Sequence, residues 1–187
     1  MEILSFPEAA TPSVLREQVR ALVGQAWPGD PANSRHEHDP KLKPTLMLVV
    51  DAGRLLSCLA ILTKDLTHMG RRYAASGLSA VVTSQAERNK GHGHRLVTAA
   101  ASAVAASAVD LGIFTCDKPL QGFYERAGWQ VLPGTVVIGG TREAPFPSDQ
   151  FDKVTLAAFF TDHARRHALD FEHARIELYP GDIDKLW

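Results

Sequence analysis

Arg88-Asn89-Lys90-Gly91-His92-Gly93 separates an apolar run rich in β-branched residues, 78–83, from an alanine-rich segment, 94–109, that holds neither Gly nor Pro. The run before it reads as a strand and the segment after it as a helix. A strand, a glycine-bearing loop and a helix start make an anion site. The first helical amides have no internal partner, and the helix dipole places positive partial charge where they point. Arg88 and Lys90 add full charges, so a phosphate or pyrophosphate is the expected guest. The P-loop signature needs Lys-Ser/Thr where this chain has His94-Arg95, and the dinucleotide fingerprint needs a third Gly where Leu96 stands. A plain glycine turn with solvated charges is the alternative from these six residues alone.

Outward from the loop, residues 1–6 read as a first strand, and Thr11-Pro12-Ser13 as the cap and early proline of a helix reaching about residue 25. Residues 27–44 are polar and rich in Pro, Gly and His, the composition of an irregular loop. Apolar runs 45–50 and 55–63 flank Asp51-Ala52-Gly53, a hairpin turn with Gly placed for positive φ. A second turn at His68-Met69-Gly70 leads into the strand ending at Thr83. The small side chains of 93–109 would let that helix lie close on a sheet. A strand over 111–116 follows. Asp117 then reads as the cap of a helix to about Ala127, closed by Gly128, and 129–137 resumes strand character around Pro133-Gly134.

In this order the chain resembles the GNAT N-acetyltransferase superfamily. Its acetyl-CoA loop, Arg/Gln-x-x-Gly-x-Gly/Ala, is satisfied by Arg88, Gly91 and Gly93, and Gly122-Phe123-Tyr124-Glu125-Arg126-Ala127-Gly128-Trp129 resembles its second signature. The layout is also similar to aminoglycoside 2′-N-acetyltransferases: Gly29-Asp30, Glu37-His38, Thr141-Arg142 and a final Trp187. Arg35 and Ser79 stand where that group keeps acidic residues. The resemblance implies an α/β (α+β) fold in one domain, 1–187. Its central sheet is mixed but mostly antiparallel and flanked by helices, with two parallel strands splaying apart.

It further implies acetyl-CoA as cosubstrate, bound through the backbone of Val81, Val82 and Thr83 and through Arg88, Asn89, Lys90, Gly91, His92, Gly93 and His94. Tyr124 matches the tyrosine near the sulfur, and a phenol of ordinary pKa near 10 suits protonation of a departing thiolate. The implied acceptor is a small cationic amine, aminoglycoside-like or polyamine, met by Asp30, Glu37, Ser79, Asp182, Asp184 and Trp187. The general base stays open among Asp30, Glu37, Asp182, Asp184, the terminal carboxylate of Trp187, and a water chain.

His36 and His38 flank Glu37, His92 and His94 lie in the loop, and His163 and His167 share a helical i, i+4 spacing near His173. Without a His-Glu-x-x-His or an accompanying Cys, these read as structural or solvated rather than metal ligands. A metal-dependent hydrolase and a non-catalytic acyl-CoA-binding module are the alternative functions. A net charge of −1 over 187 residues gives no basis for nucleic-acid or anionic-membrane partners. Cys58 and Cys116, both in apolar runs, read as free thiols of a cytoplasmic protein. Nothing in the chain sets its oligomeric state, and a homodimer is compatible with it.

Overall fold

The computed structural model describes residues 1–28 and 38–187. Strand β1 (Glu2–Pro7) leads to helix α1 (Ser13–Ala26), and three antiparallel strands follow, β2 (Thr45–Asp51), β3 (Arg54–His68) and β4 (Arg71–Thr83). Both β2–β3 and β3–β4 connections place two residues at positive φ, Ala52 with Gly53 and Met69 with Gly70. That is the type I′ geometry whose twist suits a tight hairpin. Leu46 to Val50 are all buried, because β2 is covered on both faces and so reads as a continuous apolar run.

After β4 come α2 (His92–Ala105), β5 (Leu111–Asp117), α3 (Gln121–Glu125), β6 (Gln130–Val131), β7 (Val136–Gly140), β8 (Pro145–Pro147), β9 (Lys153–Phe159), α4 (Asp162–Arg166) and β10 (Arg175–Glu177). Among the described residues the main sheet has seven strands in the order β1-β2-β3-β4-β5-β9-β6, and a second has three, β10-β7-β8. Among the described residues, only β4 and β5 pair in parallel in the main sheet, through Ala75↔Leu111 and Ser76↔Gly112. Beyond that rung they part company while β4 continues to Thr83. A bulge at Ala80 (φ 49), where the β3–β4 register shifts between Cys58 and Ala60, bends β4 as it leaves. The sheet is mixed, mostly antiparallel and split, as expected.

The structure corrects several expectations. β3 runs to His68, well past residue 63, because β4 pairs with it to the turn. The alanines of α2 do not mark deep burial: Leu96, Val97, Ala100 and Val104 form the one buried stripe, and Ala103 and Ala105 face solvent. Alanine's helix propensity is the better account of them. Asp117 caps nothing; its carboxylate pairs with Lys153 at 2.7 Å, and a 3-10 turn precedes α3. Pro133-Gly134 divides 129–137 into β6 and β7, which join different sheets.

Candidate active site

The loop after β4 opens with a 3-10 turn at Gln85–Glu87, and Asn89 (φ 61) and Gly91 (φ 84) then turn the chain into α2. Gly91 is the N-cap of α2, in a left-handed conformation that β-branched residues resist. Gly93 is needed for space: a Cβ there would lie 2.8 Å from Thr83 Oγ1 and 3.5 Å from the Phe123 ring. Its absence lets the helix start sit on the end of β4. The first α2 bond runs from the Arg95 amide to the Gly91 carbonyl, and the amides of residues 89–94 donate to nothing within the described protein. A run of orphan amides at a helix start, with open space around Gly91, fits a pyrophosphate.

The side chains are less free than the sequence suggested. Glu87, buried beside the loop, accepts from Arg54 at 2.8 Å and Lys90 at 3.1 Å, and His92 Nε2 lies 3.5 Å away. The Lys90 and Arg54 bonds hold its carboxyl below the usual range. Arg88 is exposed and reaches only the Thr83 carbonyl, at 3.5 Å. The backbone thus supplies most of the attraction, and Glu87 anchors the loop. Gly91→Val, which strains this turn, is expected to weaken CoA binding about tenfold or more by calorimetry with the fold retained; unchanged affinity would remove the loop from the site.

Val81, Val82 and Thr83 line the end of β4 where it has left β5. The Val82 carbonyl accepts from Ser57 Oγ at 2.8 Å, and Ser57 also bonds Thr83 Oγ1 at 2.9 Å. Ser79 is half-buried opposite Ala60, just before the bulge. Tyr124 is buried against the rings of Phe114 (5.1 Å) and Phe123 (5.0 Å). Burial, and then the nearby Cys116 thiol and Asp117 carboxylate, push its pKa up, so the phenol stays protonated.

At the narrow end of the split lies Trp187. Its indole N–H donates to the Ile113 carbonyl at 2.8 Å, one residue past the last β4–β5 rung. A Cβ on Gly77 would fall 2.4 Å from that nitrogen, so only glycine in β4 leaves room for the ring. Leu186 is buried with it, and the Lys185 carbonyl accepts from the Gly140 amide at 2.9 Å. Asp184 is buried in a pair with His38, Oδ1 to Nδ1 at 2.8 Å, while Asp182 is exposed. Asp30, Arg35, His36 and Glu37 lie outside the described residues.

Burial alone would lower the pKa of His38, but the Asp184 hydrogen bond and the charges of Asp184 and Glu8 outweigh it and raise the value above 6.5. A raised folded pKa means that the pair's contribution is complete below 6.5 and fades as pH climbs through the folded value. The stability gap between the parent and His38→Gln should therefore narrow on going from pH 6 to pH 9, read by thermal unfolding. A constant gap would disconnect the pair's charge from folding.

Three other histidines have contacts within the fold. His163 stacks on Tyr73 at 5.0 Å and faces His167 at 5.5 Å, and His68 Nε2 bonds the Asp170 carbonyl at 2.7 Å. Among the described residues no group of three or more His, Cys, Asp or Glu could hold a metal ion, and no helix is long and apolar enough to cross a membrane. A cavity of about 510 Å³ lies between Lys64–Thr67, Thr141, Arg142 and Glu177–Tyr179. Lys64 donates across it to the Leu178 and Tyr179 carbonyls at 2.6 and 2.7 Å.

A sheet split between parallel strands, with an amide-lined helix start at its open end, defines an acyltransferase that draws on a coenzyme A thioester. Residues 11–132 match the family model of the acetyltransferase (GNAT) domain, and the chain belongs to that family. It is an acetyltransferase, and its cosubstrate is acetyl-CoA. No curated protein matches it by sequence. Among solved structures, an acyl-CoA N-acyltransferase from Pseudomonas aeruginosa is 17% identical at a TM-score of 0.60, over 83% of this chain and 97% of that one. Escherichia coli ElaA is 15% identical at 0.62, over 83% and 97%. An aminoglycoside 6′-N-acetyltransferase complexed with coenzyme A is 15% identical at 0.61, over 86% and 98%. At such identities the likeness shows the fold alone.

Proposed function

We propose that the chain acetylates a primary amine of a small cationic acceptor, an aminoglycoside-like aminosugar or a polyamine, and that Trp187 forms the acceptor-side wall of the site. The observation that carries this reading is the indole seated in the β4–β5 split, across the divergence from the amide-lined loop. Trp187 is only 6% exposed, so the acceptor would meet the exposed margin of the ring rather than a full face. One of the similar structures is an aminoglycoside 6′-N-acetyltransferase, which supports a small amine without fixing the position acetylated. The 2′ specificity suggested by the sequence layout rests on that layout alone.

Acetyl-CoA supplies an activated acetyl thioester when bound. The amides of residues 89–94 hold the phosphates, with Arg88 as the free cation beside them. The backbone at Val81 and Thr83, on the stretch of β4 no longer paired with β5, is available to the arm. Tyr124 Oη keeps its proton and offers it toward the departing sulfur. On the acceptor side, Asp30, Glu37, Asp182 and Trp187 are the proposed contacts, together with Ser79 on β4. Asp184 is withdrawn from the acceptor by its bond to His38, which removes one carboxylate from the candidate bases. Asp30, Glu37, Asp182, the terminal carboxylate and water remain.

Purified protein given acetyl-CoA and a panel of aminosugars, polyamines and peptide amines should release free thiol with the first two classes and not with the third. Turnover confined to peptide amines would overturn the acceptor assignment. Acetylated products, mapped by NMR, separate 2′ from 6′ transfer.

A further inference from the structure

We infer that His38 and Asp184 are positioning residues: their buried pair fixes the turn that seats the Trp187 indole between β4 and β5. This inference deepens the proposed function, because the bearing of that seat on the acceptor rests on the reading above.

The geometry is directional at each link. Both oxygens of Asp184 are committed, Oδ1 to His38 Nδ1 at 2.8 Å and Oδ2 to the Asp39 amide at 3.1 Å. The His38 amide in turn donates to Glu8 Oε2 at 3.0 Å, tying this point to the end of β1. Asp184 also closes the last turn through its backbone, its carbonyl accepting from the Trp187 amide at 3.1 Å. The side chain that grips the body therefore belongs to the residue whose carbonyl orients Trp187. Farther along, the Lys185 carbonyl meets Gly140 and the Trp187 indole meets Ile113.

A buried ion pair is a poor way to gain stability, since desolvating two charges offsets most of their attraction. Leu186, buried in the same segment, already gives apolar anchorage. Apolar contact leaves rotation of the segment about its own axis nearly free; a carboxylate held at both oxygens does not. That restraint matters because the indole must enter a slot open only over Gly77, with its N–H on one carbonyl. The pair joins residues 146 apart in sequence, so it also sets the position of the segment against the strand that follows His38.

Asp184→Asn keeps the volume and the bond to His38 but cannot accept from the Asp39 amide as the carboxylate does. His38→Gln tests the same link from the other side, and each variant is first checked for cooperative unfolding. The direct readout is acrylamide quenching of tryptophan fluorescence, made again in a Trp187→Phe background, which retains Trp27 and Trp129 and so gives their share of the signal. Quenching should rise at least about twofold with either substitution in the parent as the segment opens locally, and should not change in the Trp187→Phe background. Acceptor KM, measured with kanamycin and spermidine, should rise about tenfold while the Kd for CoA stays within twofold, the mark of a misplaced wall rather than a damaged fold. Unchanged quenching in folded Asp184→Asn and His38→Gln overturns the positioning role. Raised quenching with unchanged acceptor KM upholds the positioning of Trp187 and instead overturns the placing of the acceptor beside it.

Discussion

Tyr124→Phe is expected to lower kcat about 100-fold while leaving the affinity for CoA unchanged. The ring keeps its edge contacts with Phe114 and Phe123, so only the hydroxyl is lost. General acid catalysis contributes about 10²–10⁴-fold, and the low end applies here for a stated reason. Burial raises the phenol's pKa, so it is always protonated at working pH but yields its proton uphill. A strong hydrogen bond to the sulfur as charge develops is then worth more than complete transfer. Steady-state kinetics with saturating acetyl-CoA decide the point: a variant within twofold of the parent in kcat sinks the assignment.

Removing residues 185–187 is expected to raise acceptor KM by about 30-fold or more, as an aromatic wall worth about 2 kcal/mol is lost. The KM for acetyl-CoA should hold, because the amides of residues 89–94 are untouched. The deletion also strips Leu186 and Trp187 from the core, so stability will fall, and Trp187→Ala gives the milder comparison. A truncation that acetylates every amine as well as the full chain makes this segment packing only. Added salt should raise acceptor KM modestly. Asp184 is buried against His38 and insulated from screening, so only exposed groups such as Asp182 respond.

Most of the fold's local elements were legible in the sequence because their signals are local. Asp51-Ala52-Gly53 and His68-Met69-Gly70 declare tight hairpins by composition, and Gly91 and Gly93 declare the helix start. The three-stranded sheet was not legible, since β10 pairs with β7 across a gap that no periodicity spans. Nor was β9, which inserts between β5 and β6. At the site, Lys90 looks like a free cation in sequence because Glu87, three residues earlier, carries no mark of burial there. Asp184 looks like an acceptor contact because its partner, His38, lies 146 residues away. Trp187 was assigned to the acceptor side, but its seat depends on Gly77, which reads as an ordinary strand residue.

The two free cysteines carry a consequence for reactivity. Cys58 and Cys116 are both buried, and burial pushes their thiols up to about 12 and about 11. Thiol–disulfide exchange proceeds through the thiolate, which neither residue supplies at neutral pH. A disulfide reagent mixed with the folded enzyme is therefore left for the thiol that coenzyme A releases, and color develops in step with turnover rather than with protein concentration. The same protonated, enclosed sulfurs are expected to react slowly with peroxide, a rate that mass spectrometry of the peroxide-treated protein measures.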